Sequence, residues 1–198
     1  MSLQGVFQKC FSFGALKPVV VDVSDAAMTS DAGLIPIRQF DQGIGLSQRF
    51  AGALDDSRDP TRTRHTFLEM VRTRLYGILA GYEDQNDHDT LRSDPVFKLI
   101  ADRSPVAGDL ASQPTHSRFE NSISVASLRR LRDVFIDQFI DSFEEPPATL
   151  TLDMDPFDDP AHGGQQLIMF HGYYGQYQYL PRVITCAEND QVQHGCFS

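Results

Sequence analysis

Lys and Arg all but vanish from the last third of this chain. After Arg132 only Arg182 remains, so the net charge of −10 is set by residues 133–198, while residues 1–132 balance acid against base. That scarcity excludes a broad polyanion-binding surface from the last third, because phosphate contacts are made mostly by Lys and Arg. Long hydrophobic runs are also lacking, and no window reaches the length of a membrane span. Met1–Phe13 has no apolar stretch followed by a small-residue cleavage site, which argues against a secretory leader. Cysteine is sparse: Cys10, Cys186 and Cys196 are too few and too far apart for a disulfide framework. They read as reduced thiols, and with no membrane segment the expected location is cytoplasmic. No repeat recurs at a solenoid period, and no glycine-rich loop carries the Lys of a phosphate cradle. What is present, 41% hydrophobic and 22% charged residues over 198 positions, suits one or two globular domains with an ordinary core.

Periodicity divides the chain in two. Pro18–Val23 reads as a short strand and Asp25–Gly33 as a loop; Leu34-Ile35-Pro36-Ile37 then leads into a helix through Phe40 and Ile44. His65–Gly81 predicts a strong helix, with Phe67, Leu68, Val71, Leu75, Ile78 and Leu79 three and four apart and Thr61 or Thr63 as its cap. Glu83–Asp89 is a polar loop, Asp94-Pro95 caps a short helix, and Ser112–Ser117 has loop composition. Ser124 opens a third helix whose apolar stripe runs from Val125 to Ile140, and Glu144-Glu145-Pro146-Pro147 marks a boundary. Beyond it, Thr149–Leu152, Gln166–Phe170 and Tyr177–Ile184 are short strand-like runs, the last interrupted by Pro181, and they suggest an antiparallel meander.

Chemistry concentrates in Ala148–Gly175. Asp153 and Asp155 are two apart, so on one strand they share a face, while Leu150 and Leu152 are expected on a buried one. Carboxylates held on a strand suit hard cations such as Mg²⁺ or Mn²⁺, which stabilise charge on a transferring phosphoryl group. A solvated strand end followed by an acidic turn explains the same residues. Asp158, Asp159 and Pro160 suit a loop, and His162 precedes a Gly163-Gly164 connection. Asp87-His88-Asp89 lacks partners at ligand spacing. Asp109, His116 and Ser117 have no nucleophile-elbow pattern around them. Arg58, Arg62, Arg64, Arg72 and Arg74 gather near the start of one helix, and Arg129, Arg130 and Arg132 on another; both groups are candidates for DNA phosphates or for a solvated face. Tyr173, Tyr174, Tyr177 and Tyr179 can stack on bases, or pack within turns and sheet.

Several long motifs occur together here. They are Phe11-Ser12-Phe13-Gly14, Ser30-Asp31-Ala32-Gly33, Tyr76-Gly77, Gly81–Asp89, Leu110–Thr115, Leu152-Asp153-Met154-Asp155, Asp158–Gln166, Gly172-Tyr173-Tyr174-Gly175 and Tyr179-Leu180-Pro181. Over roughly residues 10–183 the chain resembles bacterial insertion-sequence transposases with a DDE catalytic domain, in the group with an Asp-rich first strand. The resemblance implies an α+β chain. A mostly helical, DNA-binding region over residues 1–146 precedes the first strands of a truncated ribonuclease-H-like domain over residues 147–184, and a divergent tail over residues 185–198 follows. It also implies three acidic residues holding two Mg²⁺ or Mn²⁺ ions, with water cutting a phosphodiester and the freed 3′-hydroxyl joining target DNA. Asp155 is the preferred first ligand and Asp153 its competitor. The family's Thr two residues after the Asp is replaced here by Phe157. The second Asp and final Glu of several-hundred-residue relatives lie beyond the part matched. The expectation is therefore a truncated transposase that binds no metal tightly and is inactive alone. Its partners would be insertion-sequence-end DNA, a homo-oligomer or an intact transposase, with no membrane. Two alternatives are a non-catalytic DNA-binding or inhibitory module and a self-contained metal hydrolase.

Overall fold

In a computed structural model, the structure describes residues 9–12, 17–21, 29–161, 163–164, 166, 168–189 and 191–196. The chain is α+β and divides into two compact units, residues 1–131 and 132–198.

Among the described residues of the first unit a two-stranded antiparallel ribbon, β1 (Lys9–Phe11) and β2 (Val19–Val21), precedes six helices. Strand β2 lies inside the expected Pro18–Val23 run, and most of the Asp25–Gly33 loop falls outside the described residues. Helix α1 (Leu34–Ile44) ends where Gly45 turns left-handed (φ 70°) and its N–H reaches Asp41 O at 2.7 Å, a geometry that favours a residue without Cβ. Helix α2 (Leu46–Gly52) follows at once.

Helix α3 (Phe67–Leu79) is capped by Thr66, not by Thr61 or Thr63. The Thr66 hydroxyl accepts from Glu69 N–H at 3.1 Å, the first half of a Thr-x-x-Glu capping box that the sequence spells out. Thr61 instead sits in a 3-10 turn, Pro60–Arg62, and donates to Asp59. Ile78 and Leu79 of the α3 stripe remain exposed.

Part of the expected Glu83–Asp89 loop folds as a 3-10 turn, Gln85–Asp87, and the start of α4 (His88–Leu91). Asp94 caps α5 (Pro95–Ile100) as expected, accepting from Val96 and Phe97 N–H at 2.7 and 3.1 Å. Residues Ser112–Ser117, expected to be loop, lie at the start of α6 (Gln113–Asn121), where Ser112 is the N-cap and a proline occupies the first turn.

The core of this unit joins Leu34, Ile35, Tyr76, Leu91, Phe97 and Ile100. Over it lies a polar network. Asp41 accepts from Ser47 N–H (2.8 Å), Ser47 O–H (2.5 Å) and Tyr76 O–H (2.7 Å). Arg38 donates to Ile100 O and to Asp102. Arg72 donates to Ser47 Oγ and pairs with Asp102.

Helix α7 (Val125–Asp141) starts after Ser124, whose hydroxyl accepts from Ser127 N–H at 3.1 Å. Along its stripe Val134 and Phe139 are buried, while Val125, Leu128, Phe135 and Ile140 are exposed.

Among its described residues the second unit holds six strands: β3 (Leu152–Pro156), β4 (Asp159–Pro160), β5 (Met169–His171), β6 (Gln176–Tyr179), β7 (Arg182–Cys186) and β8 (Val192–Cys196). Their sheets run β3-β7-β8 and β4-β6-β5, all antiparallel. The registers share one offset: Leu152 faces Cys186, Pro156 faces Arg182 and Asp159 faces Tyr179. Residues 152–160 and 178–186 therefore form one ribbon. Its break coincides with Pro181, which lacks an N–H but accepts from Phe157 N–H at 3.0 Å. Strands β5 and β8 line the ribbon's other side. This departs from a simple meander, because β3 skips three strands to pair with β7, leaving a β4–β6 excursion between them.

Candidate functional site

Asp153 and Asp155 stand opposite Thr185 and Val183, on one face of an edge strand. Their Cα atoms are roughly 6.6 Å apart by strand geometry. Both are exposed. The expectation that Leu150 and Leu152 point into a core is not met. Leu150, Leu152 and Met154 are about half exposed, since β3 is solvated along its whole length. Asp158 and Asp159 are exposed too, whereas His162 lies outside the described residues.

The foot of β3 is fixed by the β7–β8 turn. Glu188 accepts from Thr151 N–H at 3.0 Å and from the Cys186 thiol at 3.0 Å, and Ala187 N–H donates to Thr151 O. The thiol and Thr151 hydrogen bonds hold the Glu188 carboxyl down at about 2, while burial pushes the Cys186 thiol up. The aromatic run lies on the β5–β6 hairpin: Tyr173 packs edge-on to Tyr174 at 5.0 Å and Phe170 to Tyr177 at 5.3 Å, with Tyr173 largely exposed.

Oxygen donors on an exposed strand have the right chemistry for Mg²⁺ or Mn²⁺. Among the described residues, however, no three His, Cys, Asp or Glu side chains gather as a metal site. Asp153 and Asp155 by themselves therefore make no metal site, and no reaction step can be routed through them alone.

The basic candidates separate. Arg72 is buried in the Ser47–Asp102 network, so it is a structural cation and not a surface contact. Arg130 is tied to Ala53 O at 2.8 Å and to Asp55 at 2.5 Å, which holds the Asp55 carboxyl below its usual range. Arg132 pairs with Asp133, and Arg129 is exposed. Arg62 and Arg64 behave differently: both are exposed and line a cavity of about 680 Å³. Arg58, His65 and Arg92 share its wall, with Leu110, Ser112 and Thr115 on the far side. The loop-to-helix fold at Ser112 brings these last groups to the arginines, and nothing local in the sequence announces that meeting.

A buried pair is the other group that the sequence did not disclose. His88 and His116 stack with ring centroids 3.9 Å apart and planes 17° from parallel. His116 Nε2 lies 3.3 Å from Thr73 Oγ1, while His116 Nδ1 and His88 Nε2 have no hydrogen-bond partner among the described residues. Burial, above all, lowers both imidazoles, His116 to about 3. Asp109, His116 and Ser117 form no triad: His116 is enclosed on Thr73 and His88, and Asp109 faces Arg92 and Lys98.

Compared with known proteins, the chain is matched over residues 11–192 by the family model described as Transposase DDE domain group 1. No curated protein and no solved structure matches. The match covers β7 and reaches the first residue of β8, into the segment expected to diverge. No described helix is long and apolar enough to cross a membrane. The chain belongs to this family of transposase DDE domains.

Proposed function

We propose that this transposase-family chain supplies the first acidic strand of a ribonuclease-H-like DDE site, with Asp155 as the leading metal-holding carboxylate and Asp153 beside it. The observation that carries the reading is the placement of both aspartates, exposed, on one face of an edge strand inside the family match. The β3-β7-β8 order supports it, since three antiparallel strands adjacent in space leave the β3 edge free for a further strand. A divalent ion bound there would neutralise charge on a phosphodiester during cutting and joining. The chain's own part is to hold two carboxylates on a rigid strand, clamped through Thr151 and Glu188, so that they need not reorganise.

Two carboxylates do not fix two ions against their hydration, so the 198-residue chain by itself does not cut DNA. Mixing it with insertion-sequence-end DNA and Mg²⁺ or Mn²⁺ should yield no cleavage or joining. Activity that Asp155→Ala abolishes would overturn this. In the same preparation Mn²⁺ should broaden NMR signals around residues 153–155 in a way that Asp155→Ala removes and Asp158→Ala does not. If Asp155→Ala leaves the broadening intact, the ligand assignment is wrong. A second reading, a non-catalytic DNA-binding or inhibitory module, is favoured by the arginine-lined cavity of the first unit.

A further inference from the structure

The cavity formed by the Pro60–Arg62 turn, the segment leading to α3, the end of α4 and the first turn of α6 has a wall of unusual charge. Arg58, Arg62, Arg64 and Arg92 line it together, against Asp59 and Asp109. The arginines are not equally occupied. Arg58 donates to Asp56 at 2.7 and 2.6 Å and lies over the Phe67 ring at 4.4 Å, so it is held in place by a carboxylate and an aromatic face. Arg92 faces Asp109 at 3.4 Å. Arg62 comes no closer than 3.9 Å to Asp59, whose Oδ1 is engaged by Thr61. Arg64 has no carboxylate partner among the described residues, and its guanidinium sits near Gly108, where a side chain would meet it at 3.5 Å.

On the wall His65 is bonded to Glu69 at 2.5 Å, and further out Lys98 and Arg103 attend Asp109 and Glu69. The cations of the wall and its neighbours therefore outnumber the carboxylates by two when His65 is neutral. Ser112 and Thr115 add hydroxyls, 3.3 Å from each other, on the α6 side. Unneutralised guanidinium with hydroxyl donors in a concave wall is the chemistry that recognises a phosphate group.

We propose that this cavity grips a backbone phosphate of DNA, with Arg64 and Arg62 as the contacting cations and Arg58 and Arg92 as the fixed wall behind them. The proposal rests on DNA being the chain's partner, as the family reading holds. It adds where the strand is held, on the first unit. Because Arg62 and Arg64 are exposed, removing them should leave the fold unchanged.

The test is duplex DNA binding by the full chain, measured against salt for wild type, Arg64→Ala and Arg62→Ala/Arg64→Ala, with Arg64→Lys and the exposed Lys17→Ala beside them. Circular dichroism of each variant should match wild type. Arg64→Ala should weaken binding roughly tenfold, and the double variant should flatten the plot of log affinity against log salt by about two. Arg64→Lys should recover part of the loss, and Lys17→Ala should change little. Wild type that binds DNA while both alanine variants bind equally well overturns the cavity assignment and leaves the DNA reading standing. No binding by wild type at low salt overturns both. A thermal shift of wild type by inorganic phosphate or a nucleotide, lost in Arg64→Ala, without DNA binding, would make the ligand a free phosphate and overturn the backbone assignment.

Discussion

Acidification should unfold the first unit through its stacked histidines before most carboxylates respond. In the unfolded chain both imidazoles titrate near 6.5. In the folded unit His116 is enclosed, its Nδ1 has no partner among the described residues, and burial, His88, Arg74 and His65 together hold its titration down to about 3. His88 is lowered in the same direction, chiefly by burial and then by Arg74, against weaker opposition from Glu120, Asp87 and Asp89. A base whose folded pKa is depressed gives stability that is complete above the unfolded pKa. That stability drains away as pH falls, until the folded pKa is reached. Each pH unit below 6.5 therefore costs about 1.4 kcal/mol for His116 alone. At pH 5 the loss is about 2 kcal/mol, a substantial share of the 5–15 kcal/mol typical of a domain. Carboxylates held low by partners, such as Asp56 beside Arg58, lose their contribution only near and below pH 4, so the pH 7 to 5 window isolates the imidazoles. The assay is urea unfolding followed by far-ultraviolet circular dichroism, which reports the helices and suits a chain without Trp. The urea midpoint should fall steadily between pH 7 and 5. His116→Phe keeps an aromatic ring against His88 and removes one titrating group, so the fall should shrink whatever offset the swap itself brings. Equal midpoints at pH 7 and 5, or an undiminished fall in His116→Phe, would refute the reasoning.

The polar network over the core makes a second prediction. Asp41→Ala strands the Ser47 and Tyr76 donors and leaves Arg38 without its neighbouring carboxylate 3.8 Å away, so it should cost about 3–5 kcal/mol in urea unfolding. Tyr76→Phe, costly alone, should cost little more in that background; full additivity would show that the hydroxyl does not act through Asp41. The α5 cap makes a third. Asp94→Ala removes the acceptor of two amide protons and should cost about 1 kcal/mol, while Asp94→Asn or Asp94→Ser should recover most of it. An unchanged midpoint in Asp94→Ala would show that solvent satisfies those amides equally well.

The parts of the fold legible in sequence were those carried by local rules. Asp94-Pro95 announced α5, the stripe from Phe67 announced α3, and Ser124 announced α7. The α3 cap was misplaced by a few residues because several threonines precede the helix; the Glu three residues after Thr66 was the discriminating signal. Helix α6 was missed because Ser, Gln, Pro and Thr are loop formers by composition. Its inward groups, His116 and Phe119, are stabilised by partners far off in sequence, His88 and Phe67. Arg72 looked like its neighbours Arg62 and Arg64, and only packing separates an arginine buried on Asp102 from two that face solvent. Asp153 and Asp155 on one face follow from a period of two. The exposure of Leu152 and Met154 behind them does not, because alternation shows which residues share a side and not what covers that side.

The same register argument explains why the acidic strand tolerates its charge. Asp153 and Asp155 share a face with Thr185 and Val183, whereas Arg182, the lone Lys or Arg after Arg132, stands opposite Pro156 and so belongs to the other face. No cation of the sheet compensates the pair. Two like charges at the roughly 6.6 Å spacing of the Cα atoms would repel by only about 0.6 kcal/mol in a water-like medium, so exposure makes an uncompensated pair cheap. Burying the same pair would demand a counter-ion as the condition of folding. An exposed, edge-placed, uncompensated pair can instead wait for a cation and for further carboxylates, which is the physical requirement on a strand that contributes part of a metal site.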